Sequence, residues 1–139
     1  MTRTFKDNAN KAGFVTLKVN VGEREYCFLV DSGAAQNAIT SELYEENTSL
    51  CKRIANVSVT GVNGDSAEQL LVGMPYSCSA ISSADRFFVM TSKVFQSVEE
   101  EIGLKLDGIL GSPFLFKHKV VIDYASMELR LGSDDNEDK

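Results

Sequence analysis

From Phe14 onward the chain alternates apolar and polar side chains. Val15, Leu17, Val19 and Val21 fall at every second position, with Thr16, Lys18 and Asn20 between them. A period of two marks a strand with one face buried, because successive side chains point to opposite faces. Gly22-Glu23 offers a tight turn, and Tyr26-Cys27-Phe28-Leu29-Val30 follows, β-branched and aromatic on both faces. A run apolar on both faces belongs inside a sheet rather than at its edge. It ends abruptly in Asp31-Ser32-Gly33-Ala34-Ala35, a loop of small and polar residues.

Further on, Ile39 sits in a short extended stretch, and Thr40 or Ser41 caps a brief helix through Glu42, Leu43, Tyr44 and Glu45. Val57 to Thr60 and Glu68 to Val72 flank Gly61-Val62-Asn63-Gly64-Asp65; Asn-Gly favours positive φ, so this is a hairpin with its tip near Asn63. Arg86 to Met90 reads as another strand. Val94, Phe95, Val98 and Ile102 recur at helical spacing, with Gly103 as the stop. Asp107-Gly108 leads into the apolar Ile109-Leu110-Gly111, after which Ser112-Pro113 opens a short helix. Val120 to Ile122 and Glu128 to Leu131 are strands joined through the turn region of Asp123 to Met127. Many short strands with brief helices imply a mainly β barrel or sandwich. With no repeat and no linker, the chain divides into a polar arm (1–12), one domain (13–132) and an acidic tail (133–139) expected to be disordered.

Composition narrows the function classes. The 139 residues, 43% hydrophobic, suit a single core. Twenty acidic residues against 14 basic ones give a net charge of −6, with four acids in the stretch from Ser133 to Asp138. That balance argues against nucleic acid as a partner, since phosphate binding draws on clustered Lys and Arg. No apolar run approaches the roughly 20 residues that span a bilayer. The stretch from Met1 to Lys11 is polar and lacks the apolar core of a signal peptide, which favours the cytoplasm and leaves the sequons at Asn47 and Asn56 without consequence. Cys27, Cys51 and Cys78 are odd in number and widely spaced, so they read as free thiols; no disulfide framework, metal site or cofactor is expected.

The candidate chemistry lies in the loop after the second strand. Asp31 can be a plain turn starter. Its company suggests more: Gly33 and Ala34 have almost no side chain, so backbone N–H groups can approach the carboxylate and a substrate backbone can pass overhead. Ser32 supplies a hydroxyl able to donate to a neighbouring loop.

Phe28-Leu29-Val30-Asp31-Ser32-Gly33-Ala34 resembles the Asp-Thr/Ser-Gly-Ala motif of the retropepsins, the retroviral-type aspartic proteases. Gly108-Ile109-Leu110-Gly111, followed by a short helix and Val121-Ile122-Asp123, is similar to their second signature, and the hairpin at Gly61 to Gly64 lies between the two as a flap would. The closing stretch from Phe114 to Leu131 is similar to the retropepsin-like domain of the DNA-damage-inducible ubiquitin-shuttle proteins. The resemblance spans about Phe14 to Leu131. It implies a mainly β acid-protease barrel with one or two short helices, acting as a homodimer on a peptide or protein substrate.

The resemblance also implies residue roles. Catalysis by this family needs two carboxylates sharing a proton, and this chain has one Asp-Ser-Gly motif, so Asp31 of each subunit meets the other across a two-fold axis. Water is the nucleophile; Ser32 bonds across the axis and the Gly33 N–H holds the carboxylate. Leu29, Ala34, Gly61, Val62, Asn63, Gly64 and Ile109 fall where the family binds substrate, although Leu29 and Ile109 equally suit core packing. Ser32 replaces the commoner Thr. Ala35 and Ser112-Pro113 stand where viral members place an ion-pairing acid and an Arg, so that pair is absent. Asp107 and Asp123 are disfavoured as a second carboxylate from the same chain. A Ser or Cys hydrolase built on His118 is also disfavoured, because a cation near the last carbonyls of a helix is ordinary. The contrasting class is a dimerisation or peptide-binding module that keeps the fold and cleaves nothing.

Overall fold

The computed structural model describes residues 2–4, 14–60, 64, 66–78, 81–126 and 128–131. The alternating stretch forms β2 (Val15–Val21), which turns through Gly22-Glu23 into β3 (Arg24–Val30). Gly22 takes φ 62°, as the first position of such a two-residue turn requires, and the register runs from Val21 opposite Arg24 to Val15 opposite Val30. After the Asp31 loop come β4 (Ala38–Thr40) and α1 (Ser41–Glu46), whose first turn is capped by the Thr40 hydroxyl accepting from the Leu43 N–H. A long hairpin follows, β5 (Lys52–Thr60) and β6 (Ser66–Cys78), then β7 (Ile81–Met90). One turn of 3₁₀ helix (Ser92–Phe95) leads into α2 (Gln96–Ile102), which stops at Gly103 with φ 72°. The chain continues through β8 (Gly108–Leu110), α3 (Ser112–Lys117), β9 (Val121–Asp123) and β10 (Glu128–Arg130). The described residues thus carry three short α-helices and a 3₁₀ turn, more than the one or two helices that the family resemblance implied.

The strands lie in the order β2-β3-β8-β4-β7-β6-β5, and a pairing of Asn20 with Ser77 brings β6 back to β2. Six strands therefore close into a mixed barrel, with β3–β8 and β4–β7 parallel and the rest antiparallel. β5 stands outside as one arm of the long hairpin. A second sheet, β1-β10-β9, uses β1 (Thr2–Thr4), which lies within the stretch expected to be only a polar arm. The expected boundaries at 13 and 132 and the acidic tail lie outside the described residues.

Alternation along β3 and β8 divides the core in two. Phe28, Val30 and Leu110 face the barrel interior with Ile39, Phe87 and Phe114. Leu29, with Cys27 and Ile109 beside it, faces a smaller cluster of Phe95, Ile102 and Leu106 supplied by the 3₁₀ turn, α2 and the strand-leading loop. Phe28, Phe87 and Phe114 are fully buried, and each stabilises the fold by roughly 1.5–3 kcal/mol relative to exposure. Their rings are linked through Tyr76 in a column of tilted and edge-on contacts with centroids 5.8 to 6.2 Å apart.

Candidate active site

β3 and β4 are consecutive in sequence but not neighbours in the sheet, because β8 lies between them, parallel to β3 and antiparallel to β4. The loop from Asp31 to Asn37 must therefore pass over the end of β8. Two glycines make the fit possible. A Cβ at Gly108 would lie 2.5 Å from the Phe28 ring and 2.6 Å from the Ala38 carbonyl oxygen; one at Gly111 would lie 2.6 and 2.7 Å from the Gln36 and Ala34 carbonyl oxygens. Close backbone approach explains the Gly-Ile-Leu-Gly sequence.

Hydrogen bonds then lock the loop to β8 and α3. The Asp31 N–H donates to the Leu110 carbonyl at 3.0 Å, and the Ser112 N–H donates to the Ala34 carbonyl at 2.8 Å. The Gly111 N–H donates to Asn37 Oδ1 at 2.8 Å, and this Asn37 side chain is buried. Within the loop, the Ala34 N–H donates to the Asp31 carbonyl at 3.1 Å. The Gly33 N–H donates to Asp31 Oδ1 at 3.0 Å. Asp31 is half-buried at the loop, with Ser32 and Gly33 exposed beside it. Its carboxylate is thus held by a backbone donor and open on its outer side, and the Ser32 hydroxyl has no partner among the described residues.

Beside this loop is a cavity of about 440 Å³. Ala34 lines it from the Asp31 loop, Ile109 from β8, Phe88 and Met90 from β7, and Ser58 and Gln69 from the β5–β6 hairpin. Ala34 and Ile109, both expected at a substrate pocket, are brought together here. Leu29 lies instead in the smaller core cluster, 7% exposed, and does not line the cavity. Gly64 is exposed near the hairpin tip with φ 89°. Gly61, Val62 and Asn63 lie outside the described residues. Sequence reasoning missed Ser58, Gln69, Phe88 and Met90, because strand pairing across the barrel, not local pattern, carries them to the cavity.

The other carboxylates are engaged elsewhere. Asp107 Oδ2 accepts from the Cys27 N–H at 3.0 Å and Oδ1 pairs with Lys105 at 2.8 Å, which raises the Lys105 ammonium pKa. Asp123 accepts from the Ser126 and Ala125 N–H groups at 3.2 and 3.0 Å, and these bonds, Ser126 foremost, hold its pKa below the usual carboxylate range. Neither acid meets Asp31 in a shared hydrogen bond. His118 caps α3 and is only 4% exposed; its Nε2 faces the Tyr76 hydroxyl at 3.2 Å. Tyr76 in turn donates to Asp85, whose other oxygen pairs with Lys117 at 2.6 Å. Burial, and then the Asp85 carboxylate, push the Tyr76 phenol pKa up. No disulfide joins Cys27, Cys51 and Cys78, and burial raises the pKa of Cys27, which keeps that thiol protonated. Among the described residues no group of His, Cys, Asp and Glu is placed to hold a metal ion, and no helix is long and apolar enough to cross a membrane.

A closed six-strand mixed barrel, an Asp-Ser-Gly loop and a glycine-bounded strand threaded beneath it define the fold of the retropepsin-like aspartic proteases, and this chain has that fold. A retropepsin-like aspartic protease from Rickettsia conorii superposes with a TM-score of 0.60 at 16% identity, covering 93% of this chain and 97% of that one. The retroviral protease-like domain of Ddi1 from Leishmania major gives 0.53 at 12% identity, covering 88% and 96%. The EIAV protease complexed with the inhibitor HBY-793 gives 0.52 at 18% identity, covering 78% and 90%. No protein-family model matches the sequence, and no curated protein matches it.

Proposed function

We propose that this protein is a homodimeric aspartic endopeptidase in which Asp31 from each of two subunits activates a water molecule against a peptide bond. The observation that carries the reading is the Asp31 carboxylate, held by the Gly33 N–H on an otherwise open loop, in a chain whose fold is that of the retropepsin-like proteases. Two such carboxylates about 3 Å apart cannot both ionise, so one proton is shared between them. The ionised partner takes a proton from water, which attacks the carbonyl carbon; the protonated partner donates to the carbonyl oxygen. Collapse of the tetrahedral intermediate then breaks the C–N bond as the amine leaves with a proton from the dyad.

One chain supplies one such aspartate, so the second must come from another copy. The Ser32 hydroxyl beside Asp31, without a partner among the described residues, supports that arrangement, since it is available to bond across the two-fold axis. So does the second sheet, where β9 is an edge strand among the described residues, with Val121 47% exposed and Phe116 of α3 88% exposed. A second copy covering this edge and these apolar side chains removes an exposed edge from solvent. The β5–β6 hairpin, whose Ser58 and Gln69 border the cavity, forms one wall of the cleft for an extended peptide. Nothing in the chemistry calls for a cofactor.

The test is peptidase activity across about pH 4 to 7, comparing the wild-type chain with Asp31→Asn. Cleavage by the wild type and a loss of at least about a thousand-fold in the variant is the expected result. Activity surviving the substitution excludes the dyad, and a folded wild type that binds peptides without cleaving them is a binding module.

A further inference from the structure

The cavity beside the Asp31 loop has a floor and a rim of different chemistry. Ala38, Phe88, Met90 and Ile109 are apolar, whereas Gln36, Gln69 and Ser58 present two primary amides and a hydroxyl. None of these three polar side chains has a hydrogen-bond partner among the described residues, in contrast to Asn37, whose amide oxygen accepts the Gly111 N–H. No charged side chain lines the cavity. The three polar groups come from separate elements: Gln36 from the Asp31 loop, Ser58 from β5 and Gln69 from β6.

We propose that this cavity selects a glutamine side chain of the bound peptide, its methylenes against Phe88 and Met90 and its amide between Gln36, Gln69 and Ser58. The proposal rests on the peptide-cleft reading above and adds the side chain that the cleft prefers. A primary amide carries both donors and an acceptor, so it can satisfy amides and a hydroxyl at once. A hydrocarbon of the same length fills the floor but strips water from the rim groups without replacing their hydrogen bonds, which lowers affinity. A carboxylate finds no cation in the lining to offset its desolvation.

The Asp31→Asn protein, expected to bind without cutting, allows the preference to be read as binding alone. Extended peptides carrying Gln, Met or Glu at one position at a time are competed against a fluorescent peptide, followed by anisotropy. At one position Gln is expected to compete about five-fold better than the nearly isosteric Met, and better than Glu. Gln69→Met, which keeps volume and removes the amide, is expected to bring the Gln-to-Met ratio close to one; Gln36→Met, at an exposed position, lowers it part of the way. No position favouring Gln, or a preference that survives both substitutions together, overturns the proposal. Wild-type cleavage assayed separately reports on the endopeptidase reading alone, so failure of either one is visible without the other.

Discussion

A methyl group at Gly111 would lie 2.6 Å from the Gln36 carbonyl oxygen and 2.7 Å from that of Ala34, both backbone atoms of the loop that carries Asp31. Neither oxygen can swing away as the end of a flexible side chain would. Ala34 is moreover fixed by the Ser112 N–H, and Gly111 by Asn37 Oδ1. Gly111→Ala is therefore expected to destabilise the fold by about 1–3 kcal/mol in urea unfolding, with the loop displaced as well. A variant as stable as the wild type would mean that the loop and α3 are less tightly joined than these distances imply. This residue also measures how far the site was legible. The spacing of Asp31-Ser32-Gly33 and Gly108-Ile109-Leu110-Gly111 marked both loops, because each motif is local. That the second packs beneath the first depends on β8 entering between β3 and β4, a pairing of strands about 70 to 80 residues apart that no local pattern encodes. Leu29 illustrates the ambiguity of an apolar residue beside a site, since its alternation places it against Phe95 and Ile102.

At the scale of elements, α3 is only six residues long and cannot hold its position by its own hydrogen bonds. Its first turn is tied to the Asp31 loop, and its last turn is tied to β6 and β7. There Lys117 reaches Asp85 and the Ser83 hydroxyl, and His118 faces Tyr76. Because Asp85 accepts from the Tyr76 hydroxyl, the phenol oxygen is left to accept from His118, which sets Nε2–H as the donor. Tyr76→Phe leaves the Asp85 Oδ2 and the His118 N–H without this partner in a mostly buried place. A loss of about 2 kcal/mol is expected in thermal or urea unfolding. Lys117→Met removes a pair whose lysine is 46% exposed, and its cost is expected to stay under about 1 kcal/mol. Equal costs for the two variants would contradict the buried network. His118 was readable as a residue at a helix end, and it does cap α3. Its burial was not readable, since Tyr76 and Asp85 come from other strands. β6 and β7 also begin or run further than their apolar cores suggested, because Gly73 and Pro75 interrupt the alternation in β6 and small polar residues fill the start of β7. Thr2–Thr4 carried no strand signal at all, and its pairing with β10 is purely tertiary.

For the whole molecule, the barrel holds one Asp-Ser-Gly loop, so the proposed mechanism requires two chains to assemble before either can cleave. The fraction of protein in dimers falls on dilution once the concentration drops below the dissociation constant. Cleavage per chain is therefore expected to fall as the protein is diluted, and to return on concentration, in step with the mass measured by sedimentation. The surface expected to govern this is the edge of β9, where Val121 is exposed and Ile122 turns inward to the barrel core with Leu129. A charge placed on such an edge opposes strand pairing without touching the interior. Val121→Asp is expected to leave circular dichroism and unfolding nearly unchanged, to sediment as a monomer, and to lose cleavage at concentrations where the wild type is active. Full activity of a monomeric Val121→Asp protein would mean that a single barrel completes its own site, and the second carboxylate would then have to be sought within the chain.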